Sequence, residues 1–136
     1  MTSRIQIIRA LSLILIIFML SCSEEEGEES PSRWIGEEDQ FNQDFAIQKE
    51  GNTSFILHKN SAMPFDGEIE RNSSKHLTIQ NFEDGKLNGK SIKKSKDGSW
   101  VEANYVNGKL DGELILFSSD GKKRSVLKYK NGILTN

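Results

Sequence analysis

Hydrophobic residues are distributed along this chain in two unlike ways. Residues 10–20 read ALSLILIIFML, one continuous apolar run. Beyond residue 50 the apolar positions come in short stretches mixed with polar ones. Between residues 84 and 132 these stretches are broken by Asp84-Gly85, Asp97-Gly98, Asn107-Gly108, Asp120-Gly121 and Asn131-Gly132. These dipeptides favour tight hairpin turns of type I′, whose two central residues need φ > 0. Turn signals about 10 to 13 residues apart mean short antiparallel strands. The pattern predicts strands over 87–94, 99–105, 109–117 and 122–129, with less regular ones over 54–58, 67–71 and 77–82. No helical period follows the N-terminal run. Within 109–117, Leu110, Leu114 and Leu116 share one face with Gly112, while Lys109, Asp111 and Glu113 share the other with Ile115 and Phe117. Such incomplete alternation suits a single-layer sheet with a solvated side better than a two-layer sandwich.

The turns are part of a longer period. Gly85, Gly108 and Gly132 recur at steps of 23 and 24 residues, Gly98 and Gly121 at 23, and Gly67, Gly89 and Gly112 at 22 and 23. An aromatic residue keeps the same phase, as Phe82, Tyr105 and Tyr129. Repeats of this length stack so that each rests on its neighbours. Two strands per repeat advance a sheet by roughly 10 Å, so the three aromatic residues are expected to line up as a row.

The units Phe82-Glu83-Asp84-Gly85-Lys86-Leu87-Asn88-Gly89-Lys90 and Tyr105-Val106-Asn107-Gly108-Lys109-Leu110-Asp111-Gly112-Glu113 resemble the MORN repeat in its bacterial variant form. Glu50-Gly51 and Met63-Pro64-Phe65-Asp66-Gly67 also resemble the opening of bacterial lipoproteins that carry this variant. The resemblance spans roughly residues 50–136. The unit around Gly67 departs from it, with Asn72-Ser73-Ser74-Lys75 in place of a turn glycine pair. The resemblance implies an all-β fold, a single-layer antiparallel sheet of stacked β-hairpins. Some lipoproteins of this kind are labelled antitoxin components of toxin–antitoxin systems.

The N-terminal run changes the picture of where the domain works. It follows Arg4 and Arg9 and is about half the length a membrane-spanning helix needs, which is the layout of a secretory signal. Met19-Leu20-Ser21-Cys22 resembles a lipobox, with methionine where leucine is commoner. It implies cleavage before Cys22 and lipid on its thiol. The expected organisation is a signal over 1–21, a flexible acidic tether over 22–46 and a repeat domain over 47–136. Residues 22–50 carry ten acidic side chains against Arg33 and Lys49, whereas residues 51–136 carry 14 basic against ten acidic. The chain's net charge of −2 hides this split. Cys22 is the single cysteine, so no intramolecular disulfide is available. The residues after it lack an aspartate next to the cysteine and resemble, in Glu24-Glu25-Glu26, the acidic export signal of some surface lipoproteins. The expected location is the bacterial cell envelope, by lipid anchorage, most naturally at the outer membrane.

Candidate chemistry is sparse. His58 and His76 stand 18 residues apart, outside any metal-binding or catalytic spacing. No nucleophile motif, phosphate loop or dinucleotide fingerprint is present. The reading is therefore non-enzymatic, with no cofactor, no metal, no small-molecule substrate and, for an exported chain, no nucleic acid. Phe82, Trp100, Tyr105 and Tyr129 form the candidate binding surface, although the same residues serve equally well as cover for the sheet. Lys93, Lys94, Lys123 and Arg124 are candidates for electrostatic steering, although lysines on strands also guard against edge pairing. The partners implied are the membrane, through Cys22, and a protein of unknown identity. An antitoxin or immunity-type protein bound to one toxin is the alternative.

Overall fold

The computed structural model describes residues 32–135. Strand β1 (Ser32–Glu37) leads into a short helix, α1 (Glu38–Asp44). A hairpin follows, β2 (Phe45–Glu50) and β3 (Thr53–His58). The chain then runs through β4 (Gly67–Asn72), β5 (His76–Glu83), β6 (Lys86–Ser95), β7 (Trp100–Val106), β8 (Lys109–Phe117), β9 (Lys123–Lys130) and β10 (Ile133–Thr135). Strands β4 to β10 form an antiparallel meander, and β1 adds to it parallel to β4, giving a sheet ordered β1-β4-β5-β6-β7-β8-β9-β10. Among the described residues the fold is all-β apart from α1, as the strand pattern predicts.

Two expectations need correction. Residues 32–46, expected to be part of a flexible tether, form β1, α1 and the start of β2. Their acidic character conceals a folded unit. Gln40 accepts the Glu37 N–H at 3.1 Å, and Glu38 and Asp39 sit in the first turn, where negative charge suits the helix dipole. Phe41 and Phe45 then turn inward. The signal, Cys22 and the rest of the proposed tether lie outside the described residues. The second correction concerns the turns. Asp84, Asn107 and Asn131 have φ near +50° and precede glycines that also have φ > 0, as type I′ requires. Asp97 and Asp120 do not have φ > 0. There Ser95 pairs with Ser99, and Ser118 with Lys122, around three-residue loops whose last residue, Gly98 or Gly121, is left-handed.

The repeat period has a backbone cause. The amides of Gly85, Gly108 and Gly132 donate to the carbonyls of Phe65, Leu87 and Leu110, at 3.0, 2.8 and 2.7 Å. The amide just before each glycine donates to a side chain of the preceding repeat. Asp84 N–H meets the Asp66 carboxylate, Asn107 N–H meets Asn88 Oδ1 at 3.2 Å, and Asn131 N–H meets Asp111 Oδ2 at 3.1 Å. A tight turn exposes donors that its own hairpin cannot satisfy. Here the Phe/Leu-Asp/Asn-Gly triplet of one repeat satisfies those of the next.

The core is concentrated at the β1 side of the sheet. Helix α1 and the β2–β3 hairpin cover one face of β4 to β6, burying Phe41, Phe45, Ile56, Phe65, Ile69 and Phe82, with Trp34 and Leu87 packed against them. The rings meet mainly edge to face, Trp34 on Phe41 and Phe45 at 5.8 and 5.5 Å, and Phe45 on Phe65 at 5.3 Å. Each fully buried large side chain contributes about 1.5–3 kcal/mol. Arg71 lies 4.5 Å over the Phe41 ring and also pairs with Glu38.

Gly67 ties β1 to the array. Its φ is +133°, and a Cβ there would collide with the carbonyl of Ser32 on β1. Gly51, with φ +57°, faces open space. Gly67→Ala is expected to lower the melting temperature well beyond Gly51→Ala, because left-handed strain of about 1–2 kcal/mol is joined by a backbone clash. Equal melting of the two variants would show that β1 does not pack against Gly67.

Candidate interaction surface

Register assigns each predicted surface residue to a face, because successive side chains of a strand point to opposite sides. Gly67, Gly89 and Gly112 lie opposite Phe82, Tyr105 and Tyr129 respectively, and Leu87, Leu110 and Leu134 flank the same rings on the next strand. The aromatic residues therefore do share one face at one phase, each across from a glycine that leaves room for a ring. They do not share an environment. Phe82 belongs to the core, with 7 % of its surface exposed, and cannot be presented to a partner. Tyr105 is half-buried, and loss of solvent raises its phenol above the ordinary range. Tyr129 is half-buried, beside the exposed Leu134.

Trp100 lies on the other face. Its indole stacks on Phe117 at 4.5 Å and 8°, and its Nε1 donates to Glu102 at 3.2 Å. Next to this stack, Ile79, Ile92, Glu102, Ile115 and Val126 occupy successive register positions across β5 to β9. The four aromatic candidates are thus divided among a core, a tyrosine face and a tryptophan face. Both histidines are half-buried strand residues. His58 packs on Phe45 and Phe65 at 5.2 and 5.5 Å.

The basic candidates are brought together. Lys93 and Lys94 end β6, and Lys123 and Arg124 begin β9. Lys75, Lys96 and Lys122 lie in the connections at the same end of the sheet, and all seven are exposed. The β6–β7 and β8–β9 connections each carry a carboxylate turned into its own loop. Asp97 accepts the Ser99 N–H at 2.9 Å and the Ser99 hydroxyl at 2.6 Å. Asp120 accepts the Ser118 hydroxyl at 2.5 Å and the Lys122 amide at 3.3 Å, and pairs with Lys122 Nζ at 2.9 Å. These bonds hold Asp97 below the usual carboxylate range and Asp120 down to about 2. At the opposite end charges are mixed. Lys130 bridges Asp111 at 3.0 Å, which with the Asn131 amide lowers that carboxyl as well.

Two concavities were not legible in the sequence. One, of about 500 Å³, is bordered by Trp34, Asp44, Phe45, His58, Asn60 and Ser61, where Asp44 accepts the Trp34 indole N–H at 2.9 Å. The other, of about 630 Å³, runs past Phe55, Lys86, Lys109 and Lys130 along the type I′ turns. Both depend on β1 to β3, elements the strand pattern largely missed. Among the described residues no three His, Cys, Asp or Glu side chains converge as a metal site would require, and no helix is long and apolar enough to cross a membrane. Compared with protein-family models, with curated proteins and with solved structures, the chain matches none of them.

The carboxylates give a pH signature. Their folded pKa values lie below the unfolded ones, so their contribution is full above the unfolded range, near pH 4, and is lost as pH falls towards 2. The melting temperature is expected to hold above about pH 5 and to fall below pH 4. Asp120→Asn should flatten that fall, and an unchanged acid limb would show that the Asp120 turn bonds do not persist in solution.

The Trp100–Phe117 stack is expected to contribute about 0.5–1.5 kcal/mol beyond the area it buries. A double-mutant cycle with Trp100→Ala and Phe117→Leu measures it by thermal or denaturant melting. A coupling near zero would mean that the two rings are independent.

Proposed function

We propose that this chain is a lipid-anchored protein of the bacterial cell envelope, at the outer membrane, whose MORN-type repeat domain is a non-enzymatic protein-interaction module. The observation that carries the anchor is Cys22. It closes a short apolar run behind two arginines, follows a small serine, and precedes an acidic, serine-rich stretch. Two or three acyl chains on one residue hold a protein stably, at about 0.8 kcal/mol per buried methylene.

Support for an interaction role comes from how unevenly the sheet is covered. Helix α1 and the β2–β3 hairpin protect the β4–β6 side. On β7 to β10 the side chains of Tyr105, Leu127, Tyr129 and Leu134 stay half-exposed or exposed on one face, and those of Trp100, Ile115 and Val126 on the other. Rigid strands that present aromatic and aliphatic side chains beside charge have the composition of a recognition surface.

Growing cells with a clickable fatty acid should label the wild-type chain and not Cys22→Ser, and the variant should leave the membrane fraction. Equal labelling of both would end the lipoprotein reading.

A further inference from the structure

We propose that the basic end of the sheet is a docking site for an extended acidic segment of a partner protein. Three connections meet there, β4–β5, β6–β7 and β8–β9. Each is two strands from the next, so about 10 Å separates neighbouring tips. They and the adjoining strand ends carry Lys75, Lys93, Lys94, Lys96, Lys123 and Arg124. Among the described residues none of these six has an ion-pair partner, whereas Arg33, Arg71, Lys90, Lys128 and Lys130 are paired; Lys86 and Lys109 at the opposite end are also without an ion pair, but Lys86 lies over the Phe55 ring at 5.2 Å. Asp97 and Asp120, the carboxylates of the β6–β7 and β8–β9 connections, are taken up by their own turns, and Glu37 and Glu38, which β1 brings beside the β4–β5 connection, are held by Asn72 and Arg71. Positive charge is left in excess over roughly 20 Å, two tip-to-tip steps. That span exceeds any single small anion and fits a chain.

An extended chain in the polyproline II conformation advances about 3.1 Å per residue with three residues per turn, so acidic side chains at every third position face one way and would meet successive tips. The Trp100–Phe117 stack begins β7 and ends β8 at this same end. It offers an apolar step beside the charges, where a desolvated contact adds affinity while the lysines speed encounter. The docking site rests on the interaction role proposed above: a protein segment supplies both carboxylates for the tips and an apolar side chain for the Trp100–Phe117 step, which a headgroup surface does not.

The test is fluorescence anisotropy with the full chain in neutral detergent. The probe is a labelled peptide of about ten residues with Glu at every third position among Gly and Ser, compared with its Gln counterpart. Only the Glu peptide is expected to bind, with affinity falling several-fold as salt rises and the Debye length shortens. Replacing Lys93, Lys94, Lys123 and Arg124 together by alanine should weaken binding about tenfold or more, while Lys86→Ala with Lys109→Ala at the other end should leave it within about twofold. Cys22→Ser should bind like the wild type, so a failed lipid assignment and a failed docking site give different results. Equal binding of the Gln peptide, or equal loss in the two lysine variants, would overturn the proposal. So would binding to phosphatidylglycerol vesicles without binding to the peptide. Peptide binding that emerges only after Glu24, Glu25, Glu26, Glu28 and Glu29 are changed to Gln would name the chain's own acidic segment as the occupant instead.

Discussion

A tight β-turn leaves backbone amides pointing outward, and in this sheet those amides are satisfied from the hairpin before. Gly85, Gly108 and Gly132 each bond to a carbonyl of the preceding unit, and the residue before each glycine bonds to Asp66, Asn88 or Asp111. The 22–24-residue period follows from this geometry. A shorter unit would bring the turn level with the wrong carbonyl, and a longer one would leave the donors in water. The same dependence makes stability a sum over neighbours, with each hairpin held in register by the one before it.

The array begins on something that is not a repeat. The first acceptor triplet, Phe65-Asp66-Gly67, is itself held by β1 and by the β2–β3 hairpin. Ser32 donates to the Asp66 carbonyl, Ile56 donates to Gly85 at 2.7 Å, and Phe65 donates to Ile56 at 3.1 Å. The aromatic core of Phe41, Phe45, Phe65 and Phe82 sits at this junction. Its apolar burial anchors a sheet whose later strands are covered on neither face by any other described element. Rigidity is therefore set at one side of the sheet and exposed surface at the other.

Charge follows the same logic of position. At the type I′ end Asp66, Asn88 and Asp111 serve as turn acceptors, and one of them, Asp111, also pairs with Lys130. At the opposite end the loops satisfy their own donors through Asp97 and Asp120, and the lysines between them are left over. A modest basic excess in the sequence becomes a concentrated one in space.

The Asn/Asp-Gly pairs and the glycine period suffice to locate strands β4 to β9 and the meander, because φ > 0 is a local demand that few residues meet. Strand parity is equally local. Trp100 and Tyr105 are five residues apart in one strand, which puts them on opposite faces, although both fall among the aromatic residues that composition groups together. The Phe/Leu-Asp/Asn-Gly triplet is visible as a repeat, but its acceptor role is not, since its donors lie about 20 residues away. Strand β1 and helix α1 escape a reading by pattern because one strand and two turns of helix carry too little periodicity to stand out from acidic residues. What determines them is long-range: Phe41 and Phe45 are buried only when β4 to β6 exist to receive them, and Trp34 pairs with Ile69 only across a parallel join. Local conformational preference is written in neighbouring residues. Burial, face and the pairing of charges depend on contacts between residues distant in sequence, and only the folded chain decides those.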